Sequence, residues 1–118
     1  MTNKRKHKRI PLAAVATINY EDQGGILSLH AMTGSISYGG VGLYSDDPIK
    51  EETDCSVTIN FISTEGNMET VSVEGRVVYS KKIGDMFFSG VQFDEEVNDI
   101  NHPLLYRQIQ SASAWDAI

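Results

Sequence analysis

Cysteine occurs once, at Cys55. No internal disulfide can form, which fits a reducing compartment and a cytoplasmic location. The three histidines, His7, His30 and His102, lie far apart without ligand spacing. With one cysteine they cannot supply a zinc cage, so no metal site is expected. No apolar run approaches the ~20 residues that a membrane span needs. The N-terminal MTNKRKHKRIPL has basic residues but no apolar stretch behind them, so it does not read as a secretory signal. Internal repeats and low-complexity segments are absent. No nucleophile–base pair or carboxylate dyad stands at a recognisable spacing, and nothing near Cys55 in sequence could activate it, so catalysis is not expected.

What is present is one domain's worth of chain: 118 residues and 13.0 kDa, 41% hydrophobic and 22% charged. The charge is unevenly spread. Net charge is −6, yet Lys4, Arg5, Lys6, Lys8 and Arg9 are half of the ten basic residues. Residues 1–9 therefore carry +5 and the remainder −11. A long nucleic acid would be repelled by that acidic body. A small anion held by the basic segment would feel mainly its nearest charges, because screening acts over about 8 Å in physiological salt. The asymmetry favours a compact anionic ligand over a polymer.

The body reads as strands between turns. Residues 13–21 alternate as a half-buried strand, and 22–25 (DQGG) form a turn. In 26–36, Leu27, Leu29 and Ala31 share a face opposite Ser28 and His30. Val41–Ser45 continues after Gly39-Gly40, and 46–54 is a polar loop. Val57, Ile59 and Phe61 give period 2 over 56–62, Glu65-Gly66-Asn67 is a hairpin turn, and strands follow over 70–80 and 86–93. Asn101 caps and Pro103 opens a helix over about 99–113, with Leu104, Leu105, Tyr106, Ile109 and Trp115 as candidates for one helical face. Six short strands and one terminal helix predict an all-β fold, a small six-stranded antiparallel barrel at residues 13–118 behind a flexible basic arm at 1–12.

Two segments could carry chemistry. Arg5 and Arg9 stand four apart in K-R-K-H-K-R, and a guanidinium fork matches a phosphate or the O6/N7 edge of guanine. Such a run also reads as a solvated tail. In Ser35-Ile36-Ser37-Tyr38-Gly39-Gly40, the two hydroxyls project to one side of an extended chain, and the glycines allow a tight turn with positive φ. It equally reads as an ordinary glycine turn.

Together and in this order, the two segments resemble the PilZ domain family of cyclic di-GMP receptors, whose pattern is R-x-x-x-R followed by [D/N]-x-S-x-x-G. Arg5 to Arg9 match the first part, and Ser37-Tyr38-Gly39-Gly40 the S-x-x-G. Ser35 departs from the family's Asp or Asn. Gly75-Arg76-Val77-Val78-Tyr79 and Gly90-Val91-Gln92-Phe93 resemble the family's last barrel strands, so the likeness covers essentially the whole chain. It implies that Arg5 and Arg9 engage guanine edges and phosphates, with Lys4 and Lys6 as further phosphate contacts. Ser35, Ser37 and Gly40 would face a guanine from the barrel, and Tyr79 falls where some members stack an aromatic on the base. Phe61, Phe87, Phe88, Phe93 and Trp115 read as packing residues.

The implied function is a non-enzymatic signalling receptor with cyclic di-GMP as ligand and no cofactor. The ligand would order the arm against the barrel and change the surface shown to a downstream protein partner. No DNA, RNA or membrane insertion is expected. Because Ser35 is off-pattern, a PilZ-fold protein-interaction module that does not bind nucleotide is the alternative.

Overall fold

The computed structural model describes residues 8–116, with side chains described for 8–112. The chain forms seven strands, the longer of them built on alternating apolar residues rich in β-branched and aromatic side chains: β1 (Ile10–Pro11), β2 (Val15–Asp22), β3 (Gly25–Ser37), β4 (Gly40–Ser45), β5 (Asp54–Ile62), β6 (Met68–Ile83) and β7 (Met86–Phe93). A helix, α1 (Pro103–Asp116), ends the described chain. All pairings are antiparallel, in the order β1-β3-β2-β5-β6-β7-β4, and β4 pairs back to β3. Six strands thus close a ring, as the sequence predicts. The two-residue β1 is an addition to it, lying along β3 with Ile10 opposite Ile36 and Pro11 opposite Ser35. Residues 10–11 read as part of the arm on sequence, yet Ile10 is buried in the core.

The core fills the ring with Ile18, Ile36, Val41, Leu43, Val57, Ile59, Val77 and Val91, and α1 contributes Leu105 and Ile109. Tyr106 on α1 touches Tyr38 in the β3–β4 turn, and Arg107 lies 4.0 Å from Glu65 in the β5–β6 turn. The helix therefore crosses the ring's end where those turns sit. The 46–53 loop adds a buried Ile49, and the segment after β7 adds Val97.

Two local expectations are corrected. Asn101 does not cap α1: its side chain accepts from Asn98 N–H at 2.8 Å and donates to the Glu96 carbonyl at 2.8 Å, closing the 96–101 loop. His102 precedes the helix instead, its carbonyl accepting from Tyr106 N–H at 2.9 Å, with Pro103 as the first helical residue. Positive φ occurs at Gly24, Gly66 and Gly84 and at Gln23 and Glu52, not at Gly39 or Gly40. The Trp115 side chain, expected on the helical face, lies outside the described residues.

Two bulges decide which side chains face out. On β3, Thr33 pairs with Leu43 and Ser35 with Gly42, so Gly34 is extra. On β6, Val77 pairs with Val91 and Tyr79 with Gly90, so Val78 is extra. Strict alternation would turn both Ser35 and Tyr79 inward; each bulge restores them to the outer face. The second bulge is held from outside the ladder. Glu52 N–H donates to the Val77 carbonyl at 2.7 Å, Val77 N–H to the Thr53 carbonyl at 2.9 Å, and Ser80 N–H to the Glu51 carboxylate at 3.2 Å.

Candidate functional site

β1 sets the direction of the residue before it. With Pro11 opposite Ser35, the half-buried Arg9 reaches across the outer face, and its Nη1 lies 3.4 Å from Ser35 Oγ. The last arginine of R-x-x-x-R and the first residue of the second motif are thus brought together by folding. Lys4, Arg5 and Lys6 lie outside the described residues.

Gly42 pairs with Ser35 and completes the floor of this site. A Cβ there would lie 2.7 Å from Phe88 Cζ and 3.5 Å from Arg9 Nη1. The bare backbone therefore lets a ring and a guanidinium settle side by side. The same device recurs at Gly34, and a milder form of it at Gly90. A Cβ on Gly34 would come within 2.7 Å of the Tyr44 ring, and one on Gly90 within 3.3 Å of Tyr79 Cβ. Two rings, Tyr44 and Phe88, thus each lie over a glycine of a neighbouring strand, where a side chain would exclude them, and Tyr79 stands close against a third glycine. Phe88 stands at the centre, edge-on to Tyr44 at 5.1 Å and 63° and to Tyr79 at 6.1 Å and 66°. Tyr79 is 45% exposed beside this cluster.

On sequence Phe88 reads as a packing residue, and neither Gly42 nor Tyr44 stands out. The signal available was Gly42, Tyr44, Phe88 and Gly90, each one residue from an inward-facing strand position. Which glycine meets which ring depends on strand register, and that is not written in any one strand.

Ser37 and Gly40 sit at the end of the same hairpin, with different duties. Ser37 Oγ accepts from Gly39 N–H at 3.2 Å and lies 3.5 Å from the Gly40 carbonyl, so this buried hydroxyl shapes its own turn. Gly40 is required by packing, since a Cβ would collide with the Val91 carbonyl of β7. The turn is tied further by Phe93 N–H to the Gly39 carbonyl at 2.9 Å and Val97 N–H to the Tyr38 carbonyl at 2.8 Å. Burial, and after it the neighbouring Tyr106, raises the Tyr38 phenol above its ordinary pKa.

Arg76, in the stretch Gly75–Tyr79, is engaged elsewhere. It pairs with Asp54 at 2.9 Å and Glu52 at 3.5 Å on the far side of β6. Among the described residues no group of His, Cys, Asp and Glu is placed to hold a metal ion, and no helix is long and apolar enough to cross a membrane. The site offers a fixed cation, a hydroxyl and exposed ring surface. Such a set suits a ligand with anionic and flat heteroaromatic parts.

The PilZ domain model matches residues 3–111. The chain belongs to the PilZ domain family. Its fold is likewise that of solved PilZ structures. Bacillus subtilis inhibitor of motility MotI/DgrA superposes with a TM-score of 0.75 at 13% identity, over 98% of this chain and 53% of that one. The chain therefore spans about half the length of that protein. The PilZ domain of Escherichia coli YcgR, solved with c-di-GMP, gives 0.68 at 14% identity over 97% and 95% of the two chains. Borreliella burgdorferi PlzA, solved in complex with c-di-GMP, gives 0.58 at 18% identity over 91% and 40%. No curated protein matches the chain.

Proposed function

We propose that this PilZ domain is a receptor for cyclic di-GMP that captures the nucleotide between its basic arm and the outer face of β3, β4 and β7. The observation that carries this reading is the meeting of Arg9 and Ser35, 26 residues apart, at 3.4 Å. The YcgR and PlzA structures with c-di-GMP support it by likeness of fold. Arg5 and Arg9 take guanine edges and phosphates, and Lys4 and Lys6 add phosphate contacts. Ser35 meets a guanine from the outer face, on the hairpin whose turn Ser37 and Gly40 shape, with Tyr79 beside it.

The energetics make the ligand a switch. Holding about six arm residues in one conformation costs roughly 6–12 kcal/mol of backbone entropy. Neither the arm contacts nor the barrel contacts offset that alone, so binding needs both. The closed arm then alters the surface shown to a protein partner in the cytoplasm, and the domain acts by binding rather than by catalysis.

Calorimetric titration of the full chain with cyclic di-GMP tests this, with GMP and a short single-stranded DNA as controls. Saturable binding of cyclic di-GMP alone is expected, lost in Arg5→Ala and in Arg9→Ala with the melting temperature nearly unchanged. Retained affinity in both variants removes the arm as the clamp. No binding by the wild type leaves the protein-interaction module of the same fold.

A further inference from the structure

β1 and β2 both pair with β3, on either side of the Gly34 bulge, and residues 12–14 between them belong to neither strand. Across this gap the regular ladder is interrupted, and Thr33 fills it. Its N–H donates to the Ala14 carbonyl at 3.0 Å. Its hydroxyl accepts from Ala14 N–H at 2.9 Å and donates to the Leu12 carbonyl, with the Ala14 carbonyl 3.2 Å away. Leu12 N–H adds a longer bond of 3.5 Å to the Gly34 carbonyl. Thr33 is only 7% exposed, so water does not replace these bonds. One side chain thus holds both ends of the kink from which the arm departs.

What hangs on this kink is the place of Arg9. It stands one residue before β1, a strand of two residues paired only with β3. A slip of one residue in so short a strand would displace Arg9 by about 3.3 Å and turn it to the opposite face of the sheet. We propose that Thr33 is a positioning residue for nucleotide capture: through Leu12 and Ala14 it fixes the register of β1 and so keeps Arg9 at Ser35. The proposal rests on the reading of this domain as a cyclic di-GMP receptor. It adds a residue outside both motifs that touches no ligand.

The test compares Thr33→Val, nearly isosteric without the hydroxyl, with Thr33→Ser, which keeps it. Two readouts are taken on the full chain: calorimetric affinity for cyclic di-GMP, and the rate of tryptic cleavage at the Arg9–Ile10 bond without nucleotide, followed by mass spectrometry. Thr33→Val is expected to bind about tenfold more weakly, the worth of a buried hydrogen-bonded hydroxyl, and to be cut faster. Thr33→Ser is expected to restore both. Should Thr33→Val fail to fold, Thr33→Ala replaces it. Unchanged affinity in the hydroxyl-free variant overturns the proposal, even where cleavage quickens, and so does failure of Thr33→Ser to rescue. A wild-type chain that binds no nucleotide overturns the receptor reading and this proposal together. A binding wild type with an indifferent Thr33 overturns the proposal alone.

Discussion

The rings of Tyr38 and Tyr106 lie with centroids 5.3 Å apart and planes at 34°. The turn of the second motif is thereby fastened to α1, and backbone bonds from Phe93 and Val97 fasten it to the segment leading there. Tilted aromatic pairs contribute about 0.5–1.5 kcal/mol beyond their buried area. A double-mutant cycle with Tyr38→Leu and Tyr106→Leu, read by urea unfolding, should return a coupling of that size, about 1 kcal/mol. Additive losses would mean that the rings touch without holding the turn.

A second prediction concerns alkaline pH. Burial pushes the Cys55 thiol up to about 11, with Glu74, Asp54 and Asp94 adding to the rise. The unfolded chain ionises at the ordinary value of 9.0, so the folded state disfavours the thiolate. The stability this confers is whole below about 9 and is lost as pH rises toward 11. Urea midpoints of the wild type should therefore fall more steeply across that window than those of Cys55→Ala. Equal slopes would show that Cys55 titrates alike in both states.

The ring was legible because its cause is local. Val57, Ile59 and Phe61 alternate without interruption, and observed β5 (Asp54–Ile62) extends the expected 56–62 by only two residues. Expected and observed bounds coincide for β7, at 86–93. What escaped reading depends on partners distant in sequence. β1 is two residues long, ends in proline and follows a basic run, so only its pairing with Ile36 and Ser35 makes it a strand. The bulges at Gly34 and Val78 leave only a loosened alternation, from Ala31 to Ile36 and at Val77-Val78-Tyr79, which does not say which residue is extra, yet they turn Ser35 and Tyr79 to the outer face. Arg9 and Ser35 were legible as a pair through the family likeness. Phe88 over Gly42 was not, because it needs the β4–β7 register, where Tyr44 rather than Gly42 stands opposite Phe88.

Ser89 yields a prediction about stability alone. Its hydroxyl points from β7 opposite Leu43, is fully buried, and has no hydrogen-bond partner among the described residues. A buried, unsatisfied hydroxyl costs on the order of 1–3 kcal/mol. Removing it in Ser89→Ala should raise stability by about 1 kcal/mol after allowance for the small void left. Chemical unfolding of the two proteins measures this. A less stable Ser89→Ala would show that the hydroxyl is satisfied in solution.

The off-pattern Ser35 permits the sharpest test of the site. Its Oγ lies 3.4 Å from Arg9 Nη1, on the outer face beside Gly42 and the Phe88 ring. A carboxylate here would act twice. It would form a charge-assisted bond with Arg9, roughly twice as strong as a bond to a neutral hydroxyl, and it could accept from guanine N1–H and N2–H with its second oxygen. Both effects favour the arm in its ligand-binding position, so Ser35→Asp is expected to tighten cyclic di-GMP binding by about 1–2 kcal/mol. Gly42→Ala probes the same floor independently, because its Cβ would press on the Phe88 ring at 2.7 Å, beside the guanidinium. That variant should weaken binding in either background by pushing the Phe88 ring out of its place beside Arg9. Tighter binding in Ser35→Asp, reversed by Gly42→Ala, places the nucleotide between these residues. Weaker binding in Ser35→Asp would mean that Ser35 does not stand at the guanine-facing position of the second motif.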